Sequence, residues 1–460
     1  MKSATIRRWS GAVLGLALGA GMLTACSSDA STGGGGDAAP VDASSCTNTI
    51  VNADAPLVSV WAWYPAFEAV VDEFNSTHDD VQVCWTNAGQ GQEEYTKFST
   101  TIEAGSGAPD VVMLETDQIN SFALRDALVD LNGFGAADIE DDYTAGAWAD
   151  VSAGDGVYAV PVDGGPMGLL YRQDILDQYG IAVPTTWDEF AAAAQQLKDA
   201  GAPGVLTNFP TNRDGAAFVQ ALLNQAGVEP FDYDLGESPT GLGVDIDTPD
   251  EVKVLTYWND LVSKKLVAND DAFTPDANTK LVDGSYAMYV AAAWGPGYLQ
   301  GLQGGSEGAQ WRAAPLPQWD ASDPKQVNWG GSAFAVTSQA RDQELAAEVA
   351  KGIFGTEAAW KIGIEQGALF PLWKPILESD YFKDLEYPFF GGQQINSDVF
   401  LAAASGYEGF TYSPVQNYFY DQQAEQTASM ARGEITPEEA ATSIQDAVDS
   451  YATEQGFELK

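Results

Sequence analysis

Apolar positions in this chain fall into short runs whose period alternates between two and the helical 3.6. Leu57-Val58-Ser59-Val60-Trp61 reads as a buried strand, and Phe67, Val70, Val71 and Phe74 follow it at helical spacing. Val81-Gln82-Val83-Cys84-Trp85 alternates as a second strand. A helix then carries Tyr95, Phe98 and Ile102 on one face, and the stretch from Gly105 to Pro109 breaks it before the strand Val111-Val112-Met113-Leu114. Strand, helix, strand, helix, strand at these lengths predicts an α/β lobe with a largely parallel sheet. In such sheets ligands sit beyond the carboxyl ends of the strands, which here carry Trp63, Tyr64, Gln90, Glu93 and Asp117.

Further along, the extended run Tyr158-Ala159-Val160-Pro161-Val162 leads through Asp163-Gly164-Gly165-Pro166 into the apolar strand Gly168-Leu169-Leu170-Tyr171. The Gly-Gly-Pro element reads as a crossover or hinge between two strands. Thr186 with Glu189, and Thr436 with Glu439, have the spacing of a capping box, the second with Pro437 at the first helical position. Trp61 by strand alternation, and Trp187 and Trp360 by their helical setting, are assigned to the core.

Length and composition then bound the architecture. Lys2, Arg7 and Arg8 precede an apolar run from Ala12 to Leu23, too short for a membrane span and laid out as a secretory signal. Its end, Leu23-Thr24-Ala25-Cys26, resembles the bacterial lipobox. That resemblance implies removal of residues 1–25, acylation of Cys26 and attachment to the outer face of the cytoplasmic membrane. Residues 26–45, with Gly33-Gly34-Gly35-Gly36, read as a flexible tether. The remainder exceeds the ~250–300 residues at which single cores stop growing, so two lobes are expected. Sixty-six acidic against 21 basic residues give a net charge of −45, which excludes nucleic acid as a partner and an electrostatic hold on anionic lipid. With Cys26 acylated, Cys46 and Cys84 remain. In an oxidising compartment a disulfide between them is the expectation, with two free thiols the alternative. One histidine and that cysteine pair supply too few ligands for a zinc site, and no cofactor or metal is expected.

Several segments carry a family resemblance. Leu170-Tyr171-Arg172-Gln173-Asp174-Ile175-Leu176 resembles the "LxYNKDLF" element of the family 1 extracellular solute-binding proteins, the sugar-binding subunits of ABC importers, and Val183-Pro184-Thr185-Thr186-Trp187-Asp188-Glu189-Phe190 resembles their "PPKTWDEF". Gly107-Ala108-Pro109-Asp110-Val111, Asp283-Gly284-Ser285-Tyr286-Ala287-Met288 with Trp294-Gly295, Ala314-Pro315-Leu316-Pro317 with Trp329-Gly330-Gly331-Ser332, and Gly433-Glu434-Ile435-Thr436-Pro437 follow in family order. The chain departs from the pattern at Ala291-Ala292-Ala293, where many members carry Asn-Gly ahead of the tryptophan. The resemblance implies a two-lobed α/β clamshell of the periplasmic-binding-protein kind, with a ligand cleft between its lobes. It places residues 46–162 and 329–354 in the N-terminal lobe and 163–328 and 355–460 in the C-terminal lobe. The cleft would use Trp63, Tyr64, Gln90, Glu93 and Asp117 from the first lobe and Trp294 from the second, with Asp163 and Trp329 near the crossovers.

The implied ligand is a neutral mono- or oligosaccharide: ring faces stack on the sugar's C–H face, and carboxylates and amides meet its hydroxyls. The implied partners are the permease subunits of an ABC transporter, with the protein itself a monomer and not an enzyme. A triad hydrolase would have only His78 as base, in the polar turn Asn75-Ser76-Thr77-His78-Asp79-Asp80. A secreted glycoside hydrolase, needing only two carboxylates, and a sugar sensor without transport are the alternatives.

Overall fold

A computed structural model describes residues 41, 43–303 and 308–460. The signal segment 1–25, Cys26 and most of the tether lie outside the described residues. The chain builds β1 (Leu57–Trp61), α1 (Phe67–Thr77), β2 (Gln82–Thr86), α2 (Gln92–Ala104), β3 (Val111–Glu115) and α3 (Thr116–Ala123) in succession. β1 pairs in parallel with both β2 and β3. α1 buries Phe67, Val70, Val71 and Phe74 against this sheet, the same positions whose spacing marked the helix. Gly105, at φ 69°, ends α2, because its amide must reach back to the carbonyl of Ile102 in a left-handed conformation that costs glycine nothing.

Two strands carry the sheet from one half of the molecule to the other. The long strand Val160–Arg172 pairs antiparallel with the return strand Asn328–Val336 through its first half. Its second half pairs antiparallel with Met288–Ala292 and Trp311–Pro315. The return strand in turn pairs with β3, so one continuous sheet spans both lobes in a two-lobed architecture. The first lobe buries Val60, Phe67, Val112 and Phe334. The second packs Trp187, Phe190 and Trp258 beneath Leu169 and Met288. A smaller cluster joins Phe231 and Leu242 to Phe419 and Ile444 of the helices Gln416–Ala431 and Pro437–Glu454.

The structure departs from the sequence reading in three places. Asp163-Gly164-Gly165-Pro166 does not link two strands but lies inside the one long strand that crosses between the lobes. The glycines are there for closeness: a Cβ on Gly165 would sit 2.0 Å from the Trp329 carbonyl oxygen, and one on Gly164 would sit 2.6 Å from Leu372 Cδ2. Secondly, the Glu357–Gly367 helix, expected in the second lobe, packs on α1, and its Trp360 meets Phe354 at 4.6 Å between ring centroids. Residues 355–367 therefore sit with the first lobe. Thirdly, Thr186 accepts from the Glu189 amide, but Glu189 Oε2 accepts from the Thr185 amide (2.8 Å), one residue earlier than a capping box requires. At Thr436 and Glu439 both halves of the box form. Cys46 and Cys84 are joined by a disulfide, which ties the start of the folded chain to β2.

Candidate functional site

A cavity of about 900 Å3 opens between the lobes where the parallel strands end. β1 delivers Trp63 and Tyr64 to it, the start of α2 delivers Gln92 and Tyr95, and β3 runs into Glu115 and Asp117. Asp163, Gly330, Gly331 and Ser332 come from the two crossing strands. The opposite wall carries Arg213, Phe273, Trp294, Tyr298 and Trp329, with Asn417, Tyr420 and Asp421 from the Gln416–Ala431 helix.

The floor is a chain of hydrogen bonds between groups far apart in sequence. Tyr64 Oη lies 2.8 Å from Ser332 Oγ, and Ser332 Oγ also bonds Asp163 Oδ1. Burial pushes the Asp163 carboxyl up to about 6, partly offset by the bond from Ser332. Beside it, Tyr95 Oη donates to Glu115 Oε2 at 2.8 Å. Burial first and repulsion from the neighbouring Asp117 carboxyl second raise Glu115, and burial raises Asp117 against a bond from Gln118 and the charge of Arg213. Arg213 answers them from the other lobe. Its Nε donates to Asp421 Oδ1 at 2.8 Å, its Nη2 to Asn417 Oδ1 at 2.9 Å, and its guanidinium lies 4.8 Å from the centre of the Tyr420 ring. Among the described residues lining the cavity, Arg213 is the one base against five acids, Glu115, Asp117, Asp163, Asp214 and Asp421.

Facing this polar side is a group of four rings. Trp294 and Trp329 meet at 4.8 Å and 67°, and Trp294 Nε1 donates to the Trp329 carbonyl at 3.0 Å. Phe273 lies 6.1 Å from Trp294, and Tyr298 lies 5.6 Å from Phe273. Phe273 holds a left-handed backbone at φ 60° and stays 40% exposed, a strained position that keeps an apolar ring in the opening. Trp63 adds an aromatic surface across the cavity, edge-on to Tyr95 at 5.6 Å.

Of the residues expected at a cleft, Trp63, Tyr64, Asp117, Asp163, Trp294 and Trp329 come together here. Tyr64 and Trp329 are mostly buried, at 4% and 6% exposure. Gln90 and Glu93 do not line the cavity. α2 starts at Gln92, so the helical step turns Glu93 outward, where it pairs with Lys97 at 2.9 Å, while Gln92 and Tyr95 face in. The sequence reading missed Glu115, Arg213, Phe273 and Tyr420. Glu115 follows directly on a strand read to Leu114 and obeys the same strand-end rule as Asp117. Arg213 and Tyr420 sit in segments whose local pattern carries no sign of a site; the fold alone brings them there.

Two lobes joined through crossing strands, with a polar and aromatic cavity between them, define the class of bivalve binding proteins. The model of the bacterial extracellular solute-binding protein family matches residues 62–360, well over half of the chain, and the chain belongs to that family. An arabinooligosaccharide-binding protein of Halalkalibacterium halodurans is 25% identical over 304 residues, 63% of this chain and 64% of the relative. A Streptomyces antibioticus protein described as an uncharacterized lipoprotein is 31% identical over 175 residues, 36% of this chain and 38% of the relative. The chain thus spans less than two thirds of either relative. Among solved structures, a binding protein associated with an ABC transporter of B. animalis subsp. lactis Bl-04, in complex with β-1,6-galactobiose, superposes with a TM-score of 0.76 at 27% identity, covering 88% of this chain and 100% of that one. The galacto-N-biose/lacto-N-biose I-binding protein of Bifidobacterium longum gives the same TM-score at 22% identity over 89% and 100% of the two chains, a likeness of fold.

Proposed function

We propose that this protein captures a neutral sugar, an oligosaccharide in particular, at the outer face of the bacterial cytoplasmic membrane and hands it to the permease of an ABC transporter. It works as a monomer held by an acyl anchor on Cys26. The observation that carries the reading is the cavity's division into a face of four rings and a rim of carboxyls, amides and one guanidinium. Such a site stacks a sugar's C–H face and bonds its hydroxyls, and its five acids repel an anion. The names of the relatives support the same class of ligand.

In this reading Trp63 and Trp294 are the stacking surfaces, Trp329 backs Trp294 from beneath, and Asp117, Asp163, Glu115 and Arg213 are the hydroxyl partners. The two lobes meet along the crossing strands, which act as the hinge; ligand bridging both walls favours the closed form. Micromolar affinity, about 8 kcal/mol, is within reach of such contacts after ordering costs.

Calorimetry over a panel of neutral mono- and oligosaccharides, with amino acids, peptides and sugar phosphates alongside, tests the proposal. Saturable binding confined to neutral sugars is the expected outcome, with the ligand recovered intact after prolonged incubation. Binding confined to peptides or anions overturns the sugar reading, and released product favours a glycoside hydrolase.

A further inference from the structure

Beside the cleft lies a second hollow of about 610 Å3. One wall is the polar stripe of α2, where Thr96, Ser99 and Glu103 face away from the buried Phe98, and Arg125 bonds across to Ser99 at 2.9 Å. The other wall comes from the second lobe. There Tyr418 and Tyr451 stack face to face at 3.9 Å and 10°.

Gln92, Tyr95, Gln118 and Asn417 line both hollows, so the two share a wall. That wall includes a reciprocal amide pair spanning the lobes. Asn417 Nδ2 donates to Gln118 Oε1 at 2.8 Å, and Gln118 Nε2 returns a longer bond at 3.4 Å. Either hollow alone has the size of a small-ligand pocket, ~300–1,000 Å3, and the two together exceed it.

Resting on the sugar reading above, we propose that the second hollow is an extension of the binding site, which takes the further residues of a neutral oligosaccharide whose first residues lie in the cleft. Its wall suits that occupant and no charged one: hydroxyls, four side-chain amides and tyrosine rings, with one guanidinium balanced by one carboxylate. The Gln118–Asn417 pair marks the passage. Its amides exchange their mutual bonds for sugar hydroxyls as the chain runs past, a swap that leaves no buried polar group unpaired. The protein therefore prefers longer oligosaccharides over the disaccharides that the cleft alone would hold.

Calorimetry with size-fractionated galacto- and arabino-oligosaccharides, from disaccharide to hexasaccharide, tests this. For the unaltered protein, affinity is expected to rise tenfold or more from the shortest to the longest ligand that binds. Thr96→Trp fills the hollow from an exposed position on α2 and is expected to abolish that rise while leaving the shortest ligand's affinity unchanged. Tyr418→Ala removes the opposite wall and checks the result independently. Affinity that is flat with chain length, or a long-ligand affinity that both variants leave intact, overturns the extension while the sugar reading stands. Failure of every oligosaccharide to bind overturns both.

Discussion

Trp294 holds the second lobe's ring group together while facing the opening. Its indole donates to the Trp329 carbonyl and its faces meet Phe273, Tyr298 and Trp329. Trp294→Ala is therefore expected to weaken sugar binding tenfold or more: the lost aromatic contact is worth about 0.5–1.5 kcal/mol beyond its area, with the area itself added. Melting of the unliganded protein should shift less than for a fully buried tryptophan such as Trp258, whose truncation costs about 3–5 kcal/mol. Paired melting and titration curves check this, and a large loss of stability with affinity intact would make Trp294 a core residue. Trp63 and Trp294 were legible because rings placed just beyond strand ends have little else to pack on, whereas Phe273 and Tyr420 follow no strand and were not. Arg213 was not, since its partners Asn417 and Asp421 lie some two hundred residues away in sequence.

Gly165 carries the crossing of the two long strands. Because an added Cβ would sit 2.0 Å from the Trp329 carbonyl oxygen, Gly165→Ala forces the long strand and the return strand apart where they pass between lobes. Overpacking of this kind costs typically 1–3 kcal/mol, and here the obstacle is backbone, which yields poorly. The expected outcome is a lowered denaturation midpoint together with weaker ligand binding, because Trp329 moves with its carbonyl; chemical denaturation and titration of the same variant check both. The strand and helix pattern of the first lobe was legible because its period is local. The Gly-Gly-Pro segment was read as a crossover or hinge between two strands and lies within a single crossing strand, because its glycines serve close approach and only the partner strand tells that. At α2 the period of Tyr95, Phe98 and Ile102 was legible but the start of the helix was not, and with Glu93 inside its first turn the side chain points to the surface instead of the cleft.

The whole molecule carries carboxyls whose proton affinity folding raises. Burial raises Asp150 to about 7, against bonds from the Phe410 amide and Tyr407 hydroxyl, and raises the fully buried Glu94 to about 9, with Asp163 at about 6. Each lies above its unfolded value, so the native state binds more protons than the unfolded chain between about pH 4 and these values, and stability falls as pH rises through that window. The net charge of −45 acts in the same direction, since self-repulsion eases on acidification. Scanning calorimetry is expected to give a higher melting temperature near pH 5.5 than near pH 8.5, with Asp150→Asn flattening the slope; a melting temperature that climbs with pH contradicts the assignment. Asp110 runs the other way. Burial raises it, but bonds from Arg341 and Ser59 outweigh burial and hold it low, so its contribution is lost only in stronger acid. The Cys46–Cys84 bond gives the fold a mechanical property besides. The bond closes a covalent ring across 38 positions, holding β1 and α1 inside it, and fastens it to β2 at the sheet's outer edge. A pull applied through the chain ahead of Cys46 bypasses β1 and α1 and loads β2 directly, so neither is peeled out in sequence and resistance falls to the hydrogen bonds of an edge strand in shear.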